Sequence, residues 1–297
     1  MAFTSVKGLL EGYAAQMDKE FWEYILEEDM HAQQITREQS LAYMRRVWQV
    51  MRQTVAHYDA AQRSRSGLSG GDGEKMRRAE AAGHTLTNGF VTEAMRLALV
   101  TAECNACMKR IVAAPTAGSC GVLPAVLLAY ENAFGAEPQA FLEALYVAAA
   151  YGEIIAAGAS ISGAQGGCQA EVGTASAMAS AALVYLHGGS PEEGAQACAI
   201  ALKNMLGLTC DPVAGLVEVP CVKRNAAGAM NAIAAAEMAL AGIESRIPPD
   251  EVIGAMDEVS QLMSSKLRET GEGGLAATPT ARLIQHRLRE MSGQEQR

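Results

Sequence analysis

The chain has 297 residues, of which 49% are hydrophobic and 19% are charged. This composition is typical of a globular protein with a large core and excludes a disordered chain, and at roughly 150 residues per domain the length suits about two domains. The 24 Lys and Arg residues against 33 Asp and Glu residues give a formal net charge of −9, which argues against nucleic acids and anionic membranes as partners.

No targeting segment or membrane span is predicted. The first residues lack a basic region followed by an apolar one, and Glu153 and Glu237 interrupt the most apolar later stretches. A spanning helix needs roughly 18 nearly uninterrupted apolar residues. Seven cysteines, an odd number, argue against a disulfide framework. We therefore expect a cytoplasmic protein with no membrane partner, whose cysteines are buried thiols, metal ligands or reactive thiols.

The N-terminal part, residues 1–62, is predicted to be a helical appendage. Apolar side chains recur at helical spacing in two stretches of this part. Thr36 followed by Gln39 has the pattern of a capping box and marks the start of the second helix. A polar, glycine-bearing segment at 64–73 then ends the helical pattern.

Residues 63–297 are predicted to form a compact, all-α domain. Its composition shifts to alanine, glycine and other small residues, which let helices approach one another closely. Strand signals are weak because β-branched residues rarely alternate with polar ones. Ser190, Pro191 and Glu193 form a strong helix start. Helical patterns cover residues 89–113, 138–158, 170–187, 191–206, 222–243 and 250–265.

Three cysteines occupy positions unlike those of ordinary core residues. Cys168 ends a glycine-rich run just before a predicted helix, where exposed backbone N–H groups and the helix N-terminus stabilise negative charge. Cys210 and Cys221 bracket a connection with two prolines, which cannot be a continuous helix. Their spacing matches no zinc ribbon or ferredoxin motif, and three buried thiols are the alternative interpretation.

Several longer segments carry a resemblance to a known family. Residues 111–121, 163–173 and 210–221 closely resemble the α portion of the iron–sulfur-dependent L-serine dehydratases. The resemblance extends to residues 64–72 and 268–276 and so covers nearly the whole chain. Several long motifs in the same order argue against chance similarity.

The resemblance implies that Cys168, Cys210 and Cys221 hold a [4Fe–4S] cluster. Three thiolates for four irons leave one iron without a protein sulfur ligand, as a catalytic metal site requires. That iron would act as a Lewis acid on the β-hydroxyl of L-serine, and a base would remove the Cα proton. The products would be pyruvate and ammonia, formed without a pyridoxal cofactor. No cysteine follows Cys221, so the terminal cysteine that some single-chain relatives carry is not available to block the open iron.

One loop, residues 115–121, is the best candidate for binding the substrate. Thr116 and Ser119 offer hydroxyl groups, while Gly118 and Gly121 let backbone amides approach a carboxylate closely. The alternative is an ordinary turn between two helices. The family resemblance favours the binding role.

Two further pairs of residues are weaker candidates for substrate binding. Ser64 and Ser66 lie in a second polar loop, for which the alternative is a flexible linker after the N-terminal helices. Lys223 and Arg224 directly follow the last cysteine. Their charges would offset an anionic cluster or meet the substrate carboxylate, or else they belong to an ordinary solvated helix start.

The sequence leaves several other polar residues open. Glu103 and Asn105 fall in a family-like stretch, and a buried carboxylate there is either functional or paired structurally. Cys120 lies in the candidate binding loop and would line the pocket without being a ligand. The remaining cysteines, which are predicted to pack in the core, are Cys104, Cys107 and Cys198.

The general base is not identified by the sequence. None of the histidines falls in a recognised motif, and they are His31, His57, His84, His187 and His286. The resemblance implies that the acid and base histidines of the family belong to a smaller β portion, for which residues 1–62 are too few. We therefore expect a β partner chain to supply the base, and an oligomeric assembly.

Two alternatives to an L-serine dehydratase α subunit are kept. A hydro-lyase of the same design could act on another small β-hydroxy acid, because an open iron would suit that substrate equally. A non-catalytic helical scaffold with buried thiols and no cluster is the second alternative.

Overall fold

The computed structural model describes residues 2–16 and 18–294, and these residues confirm the all-α prediction. They contain thirteen α-helices and no β-strand, apart from one isolated bridge between Cys210 and Arg268. The helices are α1 Val6–Ala14, α2 Phe21–Gln33, α3 Arg37–Ala56, α4 Asp72–Ala81, α5 Gly89–Ala106, α6 Val122–Phe134, α7 Pro138–Gly158, α8 Gly163–Gly166, α9 Thr174–Leu186, α10 Pro191–Met205, α11 Cys221–Leu240, α12 Pro249–Leu262 and α13 Pro279–Gln294.

Both capping boxes that the sequence predicts are present. At the start of α3, the Gln39 amide donates to Thr36 Oγ1 at 3.2 Å, and the Thr36 amide donates to Gln39 Oε1 at 2.9 Å. At the start of α10, Ser190 and Glu193 form the same reciprocal pair. Each box satisfies two backbone donors that a helix N-terminus otherwise leaves without partners.

The centre of the molecule is α9, which packs against α6, α7, α10 and α11. Its alanines Ala175, Ala179 and Ala182 have no exposed surface. Small side chains allow the axes of neighbouring helices to lie close together, so this helix contacts four others along its length. The alanine-rich composition thus builds the compact core that the sequence predicts.

One helix, α7, is long and apolar enough to cross a membrane by length and composition alone. In its most apolar window, 67% of the residues are buried inside the protein. Tyr151 and Ile155 are fully buried there, and the helix packs against α2, α3, α9 and α12. These contacts are those of a core helix.

The N-terminal helices share the hydrophobic cores of the later ones. Trp48 in α3 stacks on Phe141 in α7 with 5.0 Å between the ring centroids, and Ser40 Oγ lies 2.8 Å from the Tyr146 hydroxyl oxygen. The proposed boundary after residue 62 falls in the polar turns between α3 and α4. Apolar contacts therefore cross that boundary.

Two predicted helix boundaries differ by more than three residues from the observed ones. The helix predicted at 89–113 ends at Ala106, where Met108 takes a left-handed conformation with φ of 59° and the chain turns away. The helix predicted at 170–187 begins instead as a π-helical turn over Gln169–Gly173, and α9 follows from Thr174. Both departures lie beside the candidate site.

Candidate functional site

Two of the three candidate cluster ligands lie at the starts of helical segments, the third lies in the isolated bridge, and all three are buried. Cys168 precedes the π-helical turn, Cys210 pairs its backbone with the chain around Arg268, and Cys221 is the first residue of α11. Their exposed fractions are 3%, 3% and 9%. The folding of α9 and α10 between Cys168 and Cys210 returns the chain to the same side of the molecule.

These cysteines interact electrostatically with one another. Burial raises the pKa of Cys168 to about 11 and that of Cys221 to about 12, and it also raises the pKa of Cys210. Negative charge on Cys168 raises the pKa of both other thiols further. A bound metal lowers the pKa of a thiol that coordinates it, and free thiols near one another are the donors that an iron–sulfur cluster requires. The chemistry of the three cysteines is compatible with such a group.

The donor set does not fit a single metal ion. Over residues 2–16 and 18–294, no group of three or more His, Cys, Asp or Glu side chains has the arrangement that one ion requires. A cluster of four irons is larger than one ion and binds each thiolate through a different iron. The cluster that the family resemblance implies would therefore take each of the three thiols at a different iron.

Arg224 places a positive charge beside the cysteines. Its guanidinium donates to Asp211 Oδ1 at 2.8 Å and to the Thr209 carbonyl at 2.6 Å, and it lies against the Cys168 sulfur. The Arg224 and Asp211 side chains are only 15% and 5% exposed. Asp211 also accepts a hydrogen bond from the Leu275 amide at 2.7 Å, which fastens the late segment of the chain to the site.

Glu171 is a site residue that the sequence analysis missed. It lies in the π-helical turn, and Thr116 Oγ1 donates to its Oε1 at 2.7 Å. Its carboxylate interacts with all three cysteines, and burial raises the pKa of Glu171 itself. The available signal was its position inside the 163–173 motif, although a glutamate in a helical pattern is usually solvated.

The 115–121 loop meets the cysteines through Glu171 and Asn225. Thr116 Oγ1 lies 3.1 Å from Ser119 Oγ, and Ser119 is fully buried. Asn225, one turn after Cys221, accepts from the Gly121 amide and donates to the Gly118 carbonyl, both at 2.8 Å. All four predicted residues of this loop are thus brought next to the cysteine site.

The second predicted loop joins the segment between Cys210 and Cys221. Ser64 Oγ and Ser66 Oγ donate to the two oxygens of Glu218, at 2.5 and 2.8 Å. Glu218 is 6% exposed. Ser66 and Glu218 also line a surface cleft of about 680 Å³, whose other wall includes Leu288 and Met291 of α13.

Lys223 and Glu103 make ion-pair and capping contacts at α4. Lys223 Nζ lies 2.6 Å from Asp72 Oδ2, and its side chain is 57% exposed, so a substrate role for Lys223 stays a prediction. Glu103 is 1% exposed and accepts hydrogen bonds from the Tyr58 hydroxyl at 2.6 Å and the Asp72 amide at 2.7 Å. Glu103 therefore caps the N-terminus of α4, which is the structural pairing that the sequence analysis kept as one of two alternatives.

The remaining open residues lie around the site. Asn105 donates to the Ala117 carbonyl at 3.1 Å and so supports the 115–121 loop. Cys198 and Cys104 are buried in the core as predicted, whereas Cys107 is only half-buried. Cys120 is 1% exposed within the loop. All five histidines are exposed, and none is among the charged neighbours of the three cysteines.

Comparison with known proteins identifies the family of this chain. Residues 16–276 match the family described as serine dehydratase alpha chain. The chain belongs to this family. The resemblance inferred from the sequence motifs is therefore confirmed.

Three curated relatives of the serine dehydratase alpha chain family illustrate the similarity. The probable L-serine dehydratase alpha chain of Bacillus subtilis is 48% identical over 286 residues, covering 96% of this chain and 95% of the relative. The L-serine dehydratase alpha chain of Peptoniphilus asaccharolyticus is 47% identical over 203 residues, covering 68% and 70%. L-serine dehydratase 1 of Escherichia coli is 48% identical over 181 residues, which are 60% of this chain and only 40% of the relative.

Proposed function

We propose that this chain is the cluster-bearing α subunit of an L-serine dehydratase, which converts L-serine to pyruvate and ammonia. The proposal is supported by the burial and mutual electrostatic interaction of the three cysteines, and by the hydrogen bond from Thr116 of the 115–121 loop to Glu171 beside them, in a chain of the serine dehydratase alpha chain family. A scaffold subunit would have no need for neighbouring buried thiols beside a charged arginine and a buried carboxylate.

Cys168, Cys210 and Cys221 would hold the [4Fe–4S] cluster. When bound, it supplies an iron without a protein sulfur ligand, which is a Lewis acid for the β-hydroxyl of the substrate. Arg224 offsets the negative charge of the three thiolates, since its guanidinium lies against the Cys168 sulfur. Burial of the thiols keeps bulk water away from the site.

The 115–121 loop would bind and orient the substrate. Thr116 presents a hydroxyl beside Glu171, and the buried Ser119 holds that hydroxyl in place. The Gly121 amide donates to Asn225 Oδ1, so Gly121 would hold the loop in position and not bind the substrate itself. Ser64 and Ser66 would line the approach from the cleft, with Glu218 fixing both hydroxyls.

A β partner chain would complete the enzyme. The buried site contains no histidine, and the exposed histidines of this chain are not among its charged neighbours. Two relatives are named as alpha chains, and the E. coli relative is much longer than the part this chain matches. We propose that the partner supplies the base that removes the Cα proton, within a cytoplasmic hetero-oligomer that binds neither nucleic acid nor membrane.

The test is reconstitution with iron and sulfide under anaerobic conditions, with and without the candidate β chain. We expect about four irons per chain, broad absorption near the visible–ultraviolet boundary, and pyruvate formation from L-serine only when both chains are present. Cys168→Ala, Cys210→Ala and Cys221→Ala should each lose the cluster. Cys198→Ala is the matched control, because Cys198 is equally buried but lies in the core. A colourless protein, or equal iron loss in all four variants, would contradict the proposal.

A further inference from the structure

The Glu171 carboxylate is partly buried in the site and has one hydrogen-bond donor. Its Oε1 accepts from Thr116, whereas no donor in residues 2–16 or 18–294 bonds to its Oε2. No Lys, Arg or His of these residues forms an ion pair with it. A carboxylate partly removed from water is stabilised by a cation and by hydrogen-bond donors. Glu171 therefore lacks a cationic partner within the described residues.

The open oxygen of Glu171 faces the cysteines. A Cβ atom at Gly163 would lie 2.6 Å from Glu171 Oε2 and 2.9 Å from Cys210 Sγ. A Cβ atom at Gly118 would lie 3.0 Å from Glu171 Oε1. Because both neighbouring residues are glycines, neither places a side chain against the Glu171 carboxylate on the side of the Cys210 thiol, which would bind the cluster.

We infer that Glu171 binds the ammonium group of the substrate amino acid. This inference rests on the proposed function and deepens it. L-serine carries a carboxylate, a hydroxyl and an ammonium group, and the ammonium alone distinguishes it from a hydroxy acid of the same skeleton. A partly buried, ionised carboxylate forms a charge-assisted hydrogen bond with an ammonium, whereas it repels any anion that lacks one. The site therefore selects α-amino acids over small β-hydroxy acids without nitrogen.

The test compares matched ligands on the cluster-loaded complex of this chain with its β partner. L-alanine and propanoate differ by the ammonium group, and neither can lose water. Their affinities are measured by anaerobic calorimetry for the wild type and for Glu171→Gln. The KM for L-serine and the competitive inhibition by 3-hydroxypropanoate give a second comparison, because these two molecules also differ only by the ammonium group.

We expect Glu171→Gln to weaken binding of L-alanine and raise the KM for L-serine, by on the order of 10- to 100-fold. Binding of propanoate and inhibition by 3-hydroxypropanoate should stay equal or become tighter. Glu171→Asp keeps the charge and should recover part of the L-alanine affinity. Iron content and cluster absorption should match the wild type. Glu143→Gln, whose carboxylate accepts from Tyr185 outside the site, is the control and should change neither affinity.

The inference would be overturned if Glu171→Gln lost affinity equally for L-alanine and propanoate, or for L-serine and 3-hydroxypropanoate. A fall in kcat with KM and the L-alanine affinity unchanged would also overturn it, since that result would make Glu171 a base instead. If the wild type forms no pyruvate, the proposed function fails, and calorimetry with L-alanine and propanoate still decides whether Glu171 recognises an ammonium group.

Discussion

Asn225 accepts a hydrogen bond from the Gly121 amide at 2.8 Å. The two residues lie 104 positions apart, and Asn225 is one helical turn beyond Cys221. The first turn of α11 therefore carries both a candidate cluster ligand and the side chain that fixes the substrate loop. A shift of α11 would move the two together.

Replacing Asn225 tests this coupling. Asn225→Ala leaves the buried Gly121 amide and Gly118 carbonyl without their partner, so we expect a loss of about 2–4 kcal/mol in unfolding free energy. Urea denaturation measures the change. The exposed Asn204 is the control, and Asn204→Ala should stay within about 0.5 kcal/mol of the wild type. A loss of unfolding free energy in Asn225→Ala as small as that in Asn204→Ala would show that the loop does not depend on Asn225.

Adding one methyl group at Gly163 should disturb the site. The new Cβ would meet Glu171 Oε2 and Cys210 Sγ at distances below 3.0 Å, so one of the two groups must move. We expect Gly163→Ala to retain less iron and to lower kcat/KM by on the order of 10- to 100-fold. Gly254 has no heavy atom within 4 Å of a Cβ, so Gly254→Ala should be neutral or slightly stabilising. Full activity in Gly163→Ala would contradict the arrangement described.

Neighbouring cations at the start of α11 should contribute very differently to stability. Arg224→Gln leaves the buried Asp211 without its cation, and we expect a loss of about 3–5 kcal/mol. Lys223 forms an exposed pair with Asp72, so Lys223→Gln should cost less than about 1 kcal/mol. Chemical denaturation of the cluster-free chain measures both. The double variant Arg224→Met with Asp211→Leu should recover much of the loss, and its failure to do so would indicate a role for Arg224 beyond this pair.

Buried thiols outside the proposed cluster make the folded chain sensitive to alkali. Burial raises the pKa of Cys104 to about 11 and of Cys120 to about 12, from an ordinary value of 9.0. The folded state therefore keeps these protons while the unfolded chain loses them, so the stabilisation is complete below pH 9 and declines as pH rises. We expect the unfolding free energy of the cluster-free chain to fall as the pH rises from about 9 to about 10.5. Cys120→Ala should show a fall smaller by roughly 2 kcal/mol. An identical slope in the variant would contradict this assignment.

Sequence patterns predicted some helices well and missed others for physical reasons. The start of α10 at Pro191 is encoded locally by its capping box, so it could be read directly. Helix α6 carries Pro124 and is buried along most of its length, so it lacks the polar face that marks an amphipathic helix. Helix α4 lies in a stretch that reads as a polar loop, and it depends on the distant Glu103 carboxylate at its N-terminus.

The candidate site shows the same division. The cysteines and the 115–121 loop could be proposed because their segments resemble motifs of a known family. Glu171 and Glu218 could not, because their significance depends on Thr116 and Ser64, which are distant in sequence and adjacent only after folding. Tertiary contacts of this kind leave no periodic signal along the chain.

The isolated bridge at Cys210 makes one candidate ligand dependent on the far end of the chain. Its amide donates to the Leu267 carbonyl at 2.9 Å, and its carbonyl accepts from the Glu269 amide. Residues 269–272 are exposed and would be accessible to a protease. A single cut there would free the backbone beside Cys210, so we expect a nicked chain to lose the proposed cluster while every cysteine remained chemically intact.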